Sequence, residues 1–219
     1  MNAEWSELNK TMQNQISKKV TFDVAITTLL TLRQELLTEV CSLKENLKRE
    51  DFNAIPFKNV KGYHSKTIAY SLWHIFRIED IVAHSLILNC DQVFFRENFQ
   101  KRINSPTITT GNELVNEEIE EFSKLLNLEE LYQYLFRVNE ATTKLLRSLS
   151  YSDLKIRMTD EKKEYLKSLQ VVSENEEAYW LIDYWCGKNI RGLVQMPFSR
   201  HWIMHIEASI RIKNKIISK

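Results

Sequence analysis

Two histidines stand four residues apart in "FSRHWIMHIEAS", residues 198–209. Imidazole titrates near neutral pH and is the commonest metal ligand among side chains. On a helix, this spacing sets two rings on one face, about one turn apart. The pair is either a surface feature or one side of a metal site, and the neighbouring residues bear on which. At about 100° per residue, with His201 at zero, His205 falls at about 40°, Ala208 at about −20°, Ile212 at about 20° and Phe198 at about 60°. Arg200, Glu207 and Arg211 fall on the other side. Both histidines therefore lie within an apolar stripe. His74, in "TIAYSLWHIFRIEDI", lies within another: Ile81 is at about −20° from it and Ile78 at about 40°. Arg77, Asp80 and His84 group on the opposite flank of that helix, and His64 precedes it. His64 and His84 are thus expected outside any site built on the other three.

Three inward imidazoles are costly unless their nitrogens are bonded. Two readings follow. Each ring is a core histidine with its own hydrogen-bond partner, or the three converge as protein ligands of a divalent metal. Three histidine ligands leave open positions for water or substrate. They suit zinc, nickel, iron or manganese, and zinc or nickel is expected. The residue after His201 is Trp202, so the general-base glutamate of HExxH peptidases is absent.

The other candidates read more plainly. Glu79, at about 140° from His74, is expected in a rim salt bridge rather than bonded to a ligand histidine. Trp73, Tyr70, Phe76 and Trp202 are expected to pack the core rather than wall a pocket. Arg191, Arg200 and Arg211 read as solvated surface, and Cys90 and Cys186 as core cysteines.

The elements that must position these residues are helices. Apolar residues recur with helical period through 21–47, with Thr21 or Asp23 as the start signal. A second long helix spans 65–88, with Ser65 as its expected cap. A loop at 98–112 carries Pro106 and Gly111. An acidic amphipathic helix follows at 113–126. Asn127 with Glu130 resembles a capping box that opens a helix over 127–149. The charged stretch 160–177 leads to "EEAYWLIDYW", another helix, and Pro197 suits the first turn of a last helix at 197–216. Only four glycines and three prolines interrupt 219 residues, which favours long helices over many short strands. The expected architecture is one all-α domain over 1–219: an up-and-down four-helix bundle with one or two accessory helices. Residues 1–20 form an N-terminal segment, and 150–195 an accessory insertion.

Composition narrows the function classes. Thirty Lys and Arg against 29 Asp and Glu leave a formal net charge of +1, and no electrostatic case for nucleic acid. The three cysteines form no CxxC pair, which suits a reducing compartment. The polar N-terminus lacks a signal-peptide core, and no apolar run nears the ~20 residues that span a membrane. A cytoplasmic protein is expected, with neither nucleic acid nor membrane as partner.

A single histidine in "TIAYSLWHIFRIEDI" followed by HxxxH in "MPFSRHWIMHIEASIRI" resembles the DinB/YfiT-like superfamily, in motif and in chain order. The resemblance is specific over 65–82 and 196–212 and looser over 21–47 and 127–149. It implies a metal-binding four-helix bundle, often a homodimer, with His74, His201 and His205 as ligands. Some such proteins are metal-dependent S-transferases that use a low-molecular-weight thiol such as bacillithiol, mycothiol or glutathione. Others are treated as metal-dependent hydrolases acting on small molecules. A non-catalytic, metal-stabilised or stress-associated binding protein is the rival reading from another class.

Overall fold

One helix organises the molecule. Helix α3, Ile68–Asp80, is buried along its whole length. Its polar residues Ser71, His74, Arg77, Glu79 and Asp80 therefore lie inside the protein together with its apolar ones. In the computed structural model, which describes residues 2–57 and 62–218, α3 packs against helix α7 (Leu128–Ser148) and helix α11 (His201–Ile217). Helix α2 (Phe22–Asn46) packs against both α7 and α11. The remaining helices are α1 (Ala3–Ile16), α4 (Val93–Arg96), α5 (Phe99–Ile103), α6 (Glu117–Leu125), α8 (Asp160–Ser168), α9 (Glu176–Cys186) and α10 (Ile190–Gln195). Among the described residues there is no sheet, only an isolated bridge between Arg157 and Asn189. The fold is all-α.

Among the described residues, seven further α-helices stand beside α2, α3, α7 and α11, where one or two were expected. Helix α1 falls in the segment 1–20, whose polar composition hid it. Its buried residues Trp5, Met12 and Ile16 share one face, and it lies along α2. The expected loop 98–112 contains α5, and the acidic helix starts at Glu117 rather than at 113.

Caps explain the boundaries of the long helices. The Thr67 hydroxyl, not that of Ser65, caps α3 by accepting the Tyr70 N–H at 3.0 Å. Asn127 caps α7 by accepting from Glu129 and Glu130 N–H. The reciprocal arm of a capping box is replaced, because the Asn127 N–H donates to the Ile103 carbonyl at 2.8 Å. Helix α3 continues as a π-helix over Ile81–Leu88 and ends at Asn89 in the left-handed conformation. Pro197 lies in a second π-turn, Met196–Arg200, so α11 proper begins at His201.

The buried apolar residues form two clusters. One surrounds the first half of α3 and the centre of α11, with Trp73, Phe76, Trp202 and Ile206. The other joins α1 and the start of α2 to the segment 150–195 through Leu154, Leu166, Ile182 and Val194. Each fully buried aliphatic or phenyl side chain contributes roughly 1.5–3 kcal/mol relative to leaving it exposed.

Candidate metal centre

His74 lies in the middle of α3, and His201 and His205 on the first turns of α11. The packing of α3 on α11 brings the three rings together. Ring centroids are 5.1 Å apart for His74–His201, 4.9 Å for His74–His205 and 4.7 Å for His201–His205. One nitrogen from each ring lies within 4.8 Å of the others, and all three residues are buried. The three histidines could hold a metal ion. His84 is not among them, and the His64 side chain lies outside what the structure describes.

The environment keeps the imidazoles neutral, the form that ligates. Burial pushes His74 down to about 4, against the opposing effect of its hydrogen bond to the Thr110 carbonyl. Burial also holds His201 and His205 well below the ordinary histidine range, and the neighbouring histidines add to the effect. His74 Nδ1 donates to the Thr110 carbonyl at 2.6 Å, which leaves Nε2 as the lone-pair nitrogen. The Tyr70 ring stacks on His74 with centroids 5.3 Å apart, and its hydroxyl donates to the Gly111 carbonyl. Among the described residues, the Nδ1 atoms of His201 and His205 are buried with no hydrogen-bond partner. Buried polar atoms are rarely left so, and a bound ion is one of the few explanations. This chemistry fits a divalent cation better than three self-satisfied core histidines.

A buried ion pair sets the orientation of α11. Arg33 of α2 and Glu79 of α3 form a bidentate pair at 2.7 and 2.8 Å. Glu79 also accepts the Trp202 indole N–H at 2.8 Å, and the Arg33 guanidinium lies 4.2 Å from the Trp202 ring centre. Arg33 reaches the Phe198 carbonyl in the π-turn as well. Because Trp202 follows His201 in sequence, these contacts fix the rotation that turns His201 and His205 toward His74. Glu79 is thus fully buried, contrary to the expected rim salt bridge. Its partner lies 46 residues away, a pairing that helical period alone does not reveal.

The opposite flank of α3 is buried too. His84 Nδ1 lies 2.7 Å from Asp80, which also accepts from the Val93 and Phe94 N–H groups and the Tyr134 hydroxyl. Arg77 bonds Gln92 and the Ile108 carbonyl. The polar flank faces α4 and α7 rather than water. The expected core cysteines are a further correction: Cys90, two residues past the end of the π-helix, is exposed, and Cys186, the last residue of α9, is only partly buried against the second apolar cluster. Arg191, Arg200 and Arg211 are exposed, as expected.

A cavity of about 230 Å³ opens onto the three histidines. Trp73, Phe76 and Trp202 do not wall it; they are core. Its walls come from Tyr63 and from α9, through Trp180, Leu181, Tyr184 and Trp185, in the segment read only as an accessory insertion. Tyr63 meets the His205 ring edge to face at 4.8 Å. The aromatic residues of "AYWLIDYW" carry the signal for this wall: Tyr184 lies about 40° from Trp180 around the helix, and Trp185 about 140° from it.

No protein-family model and no curated protein match the chain. Among solved structures, the chain is similar to a conserved protein from Enterococcus faecalis, 13% identical, covering 98% of this chain and 96% of that one, with a TM-score of 0.54. At that identity the likeness speaks for the fold alone.

Proposed function

We propose that the chain is a DinB/YfiT-like four-helix-bundle protein that binds a divalent metal, zinc or nickel, through His74, His201 and His205. The bundle would consist of α2, α3, α7 and α11. The observation that carries this reading is the convergence of three buried, neutral imidazoles from two helices beneath a cavity. Among the described residues no fourth histidine, cysteine or carboxylate joins them. Structural zinc sites are closed by four protein ligands, whereas catalytic sites keep a position open, so the arrangement favours an enzyme over a metal-stabilised scaffold.

When bound, such a cation supplies Lewis acidity and lowers the pKa of a thiol or a water. The protein's own residues supply the rest. His74 is held in one tautomer by Thr110. Trp202, clamped by Arg33 and Glu79, orients the other two rings. The walls from α9 exclude water from the cavity floor. The reaction proposed is transfer of a low-molecular-weight thiol to a small electrophile. The sulfur–carbon bond forms, the bond from that carbon to its leaving group breaks, and the thiol proton departs with the leaving group. Metal-dependent hydrolysis of a small molecule is the second reading, with water in place of the thiol. A homodimer belongs to the same proposal, and sedimentation at micromolar concentration checks it.

The experiment is metal analysis of the native protein, followed by thiol-transfer assays with bacillithiol, mycothiol and glutathione against a panel of electrophiles. Metal-dependent thiol consumption supports the transferase reading. A loaded, closed site that consumes neither thiol nor ester would point to the non-catalytic alternative.

A further inference from the structure

The cavity over the histidines differs from the other clefts in the chemistry of its walls. The groove between α2 and α7 is lined by Arg33, Glu35 and Arg147 among others. The cleft beside His84 has Arg96, Glu97, Arg137, Glu140 and Lys144. By contrast, no lysine, arginine, aspartate or glutamate lines the histidine cavity among the described residues. The Lys66 ammonium, partly buried nearby, lies over the Tyr70 ring at 5.1 Å and is not part of the cavity wall.

What the walls present instead is aromatic and aliphatic surface. Trp180, Tyr184 and Trp185 come from α9, Tyr63 stands against His205, and Ile78 and Met196 contribute apolar surface. Trp180 and Tyr184 meet edge to face at 5.7 Å, and the Trp180 indole N–H is already committed to the Glu177 carbonyl. Among the described residues, the one side-chain amide in the wall is that of Asn112, and its oxygen is buried without a hydrogen-bond partner. An unpaired buried acceptor favours a ligand that brings a donor. The Lys66 charge reaches His74 and His205 from outside the wall, but among the described residues no charged side chain on the wall itself would replace the water that a charged ligand sheds. An aromatic ring would gain edge and face contacts with the three α9 rings. A dry cavity of about 150 Å³ in a protein core is known to admit benzene, and this one is larger.

We infer that this cavity takes a small, uncharged aromatic molecule carrying one hydrogen-bond donor, with its ring against Trp180, Tyr184 and Trp185 and its donor on Asn112. The inference rests on the reading of this cavity as the substrate site of the metal centre. It assigns the cavity to the electrophile rather than to a glutathione-type thiol, whose charged groups would find no partner on these walls.

The test is calorimetric titration of the full-length protein, chelator-treated and zinc-loaded, with benzyl alcohol, toluene, benzoate and benzylamine near pH ~7.5, where the amine is charged. Tryptophan fluorescence gives a second readout from Trp180 and Trp185. In the metal-free protein, benzyl alcohol should bind at least about 10-fold more tightly than benzoate or benzylamine. Trp180→Glu should weaken it by about 10-fold. Trp180 is 51% exposed, so that variant should stay folded, which circular dichroism checks. Asn112→Ala should lower benzyl alcohol affinity toward that of toluene while leaving toluene unchanged. Charged probes that bind the metal-free protein as tightly as the alcohol, or two variants without effect, would overturn the inference. A zinc titration of the same samples separates it from the metal reading. Zinc uptake without alcohol binding overturns the inference alone, and alcohol binding without zinc uptake overturns the metal centre alone.

Discussion

His74 Nδ1 lies 2.6 Å from the Thr110 carbonyl oxygen. A carbonyl can only accept, so this contact assigns the proton to Nδ1 and the free lone pair to Nε2. The loop that delivers Thr110 turns on Gly111 at φ +75°, and a Cβ there would stand 2.7 Å from Trp73 Cζ3. Gly111→Ala is therefore expected to displace the carbonyl. Loss of such an outer partner typically weakens metal binding by ~10–100-fold. Competition against a chromogenic chelator measures this; an unchanged affinity would detach the loop from the site.

His205→Ala removes a ligand itself and should cost more affinity than the Gly111 substitution. The fold should survive, because the two apolar clusters do not depend on a metal. His84→Ala is the contrasting control. Asp80 keeps its bonds to Val93, Phe94 and Tyr134, so the variant should lose about 1–3 kcal/mol of stability with zinc binding intact. Urea unfolding and zinc titration on the same preparations check both halves.

Arg33→Met leaves Glu79 buried without its cation, and Trp202 alone cannot compensate a carboxylate. Breaking a buried pair in this way costs about 3–5 kcal/mol. The double variant Arg33→Met/Glu79→Leu should lose less than the two single variants together, because no charge is then left unpaired. A double-mutant cycle in urea reads the difference, and strict additivity would show that the two residues do not act as a pair.

The buried histidines set a pH dependence. Their folded-state pKa values lie below the unfolded value, ~6.5, with His74 at about 4. Between those limits the unfolded chain binds more protons than the folded one, so stability must fall as pH falls. Metal-free protein should lose stability from about pH 6.5 downward, and the His74/His201/His205 triple alanine variant should show a flatter profile over that window. Metal affinity should persist somewhat below the free-histidine pKa, because burial already favours the neutral rings. Thermal unfolding across a pH series tests the sign.

Much of this arrangement is legible in the residues. Helical period places α7, α11 and α3 with its π-helical continuation within a few residues of their observed ends, and the apolar neighbours of His74, His201 and His205 turn all three inward. Relations between distant segments are what period cannot supply. Glu79 reads as a rim residue until Arg33 is placed opposite it. Arg33 itself carried a signal, since it stands one turn after Leu29 and one before Leu37 on the apolar stripe of α2. Helix α1 was hidden by its polar composition, although Trp5, Met12 and Ile16 follow a helical face. The Thr110 contact uses a backbone carbonyl, which leaves no trace in residue type. The aromatic wall from α9 was visible as residues, but not as a wall, until the segment 150–195 was seen to fold over the histidines.

The central claim is that His74, His201 and His205 form one metal centre. Calorimetric zinc titration of chelator-treated protein, beside the His201→Ala/His205→Ala double variant, tests it most directly. The wild type should bind a single ion per chain, and the double variant should lose that binding while remaining folded. Undiminished zinc binding in the double variant would contradict it.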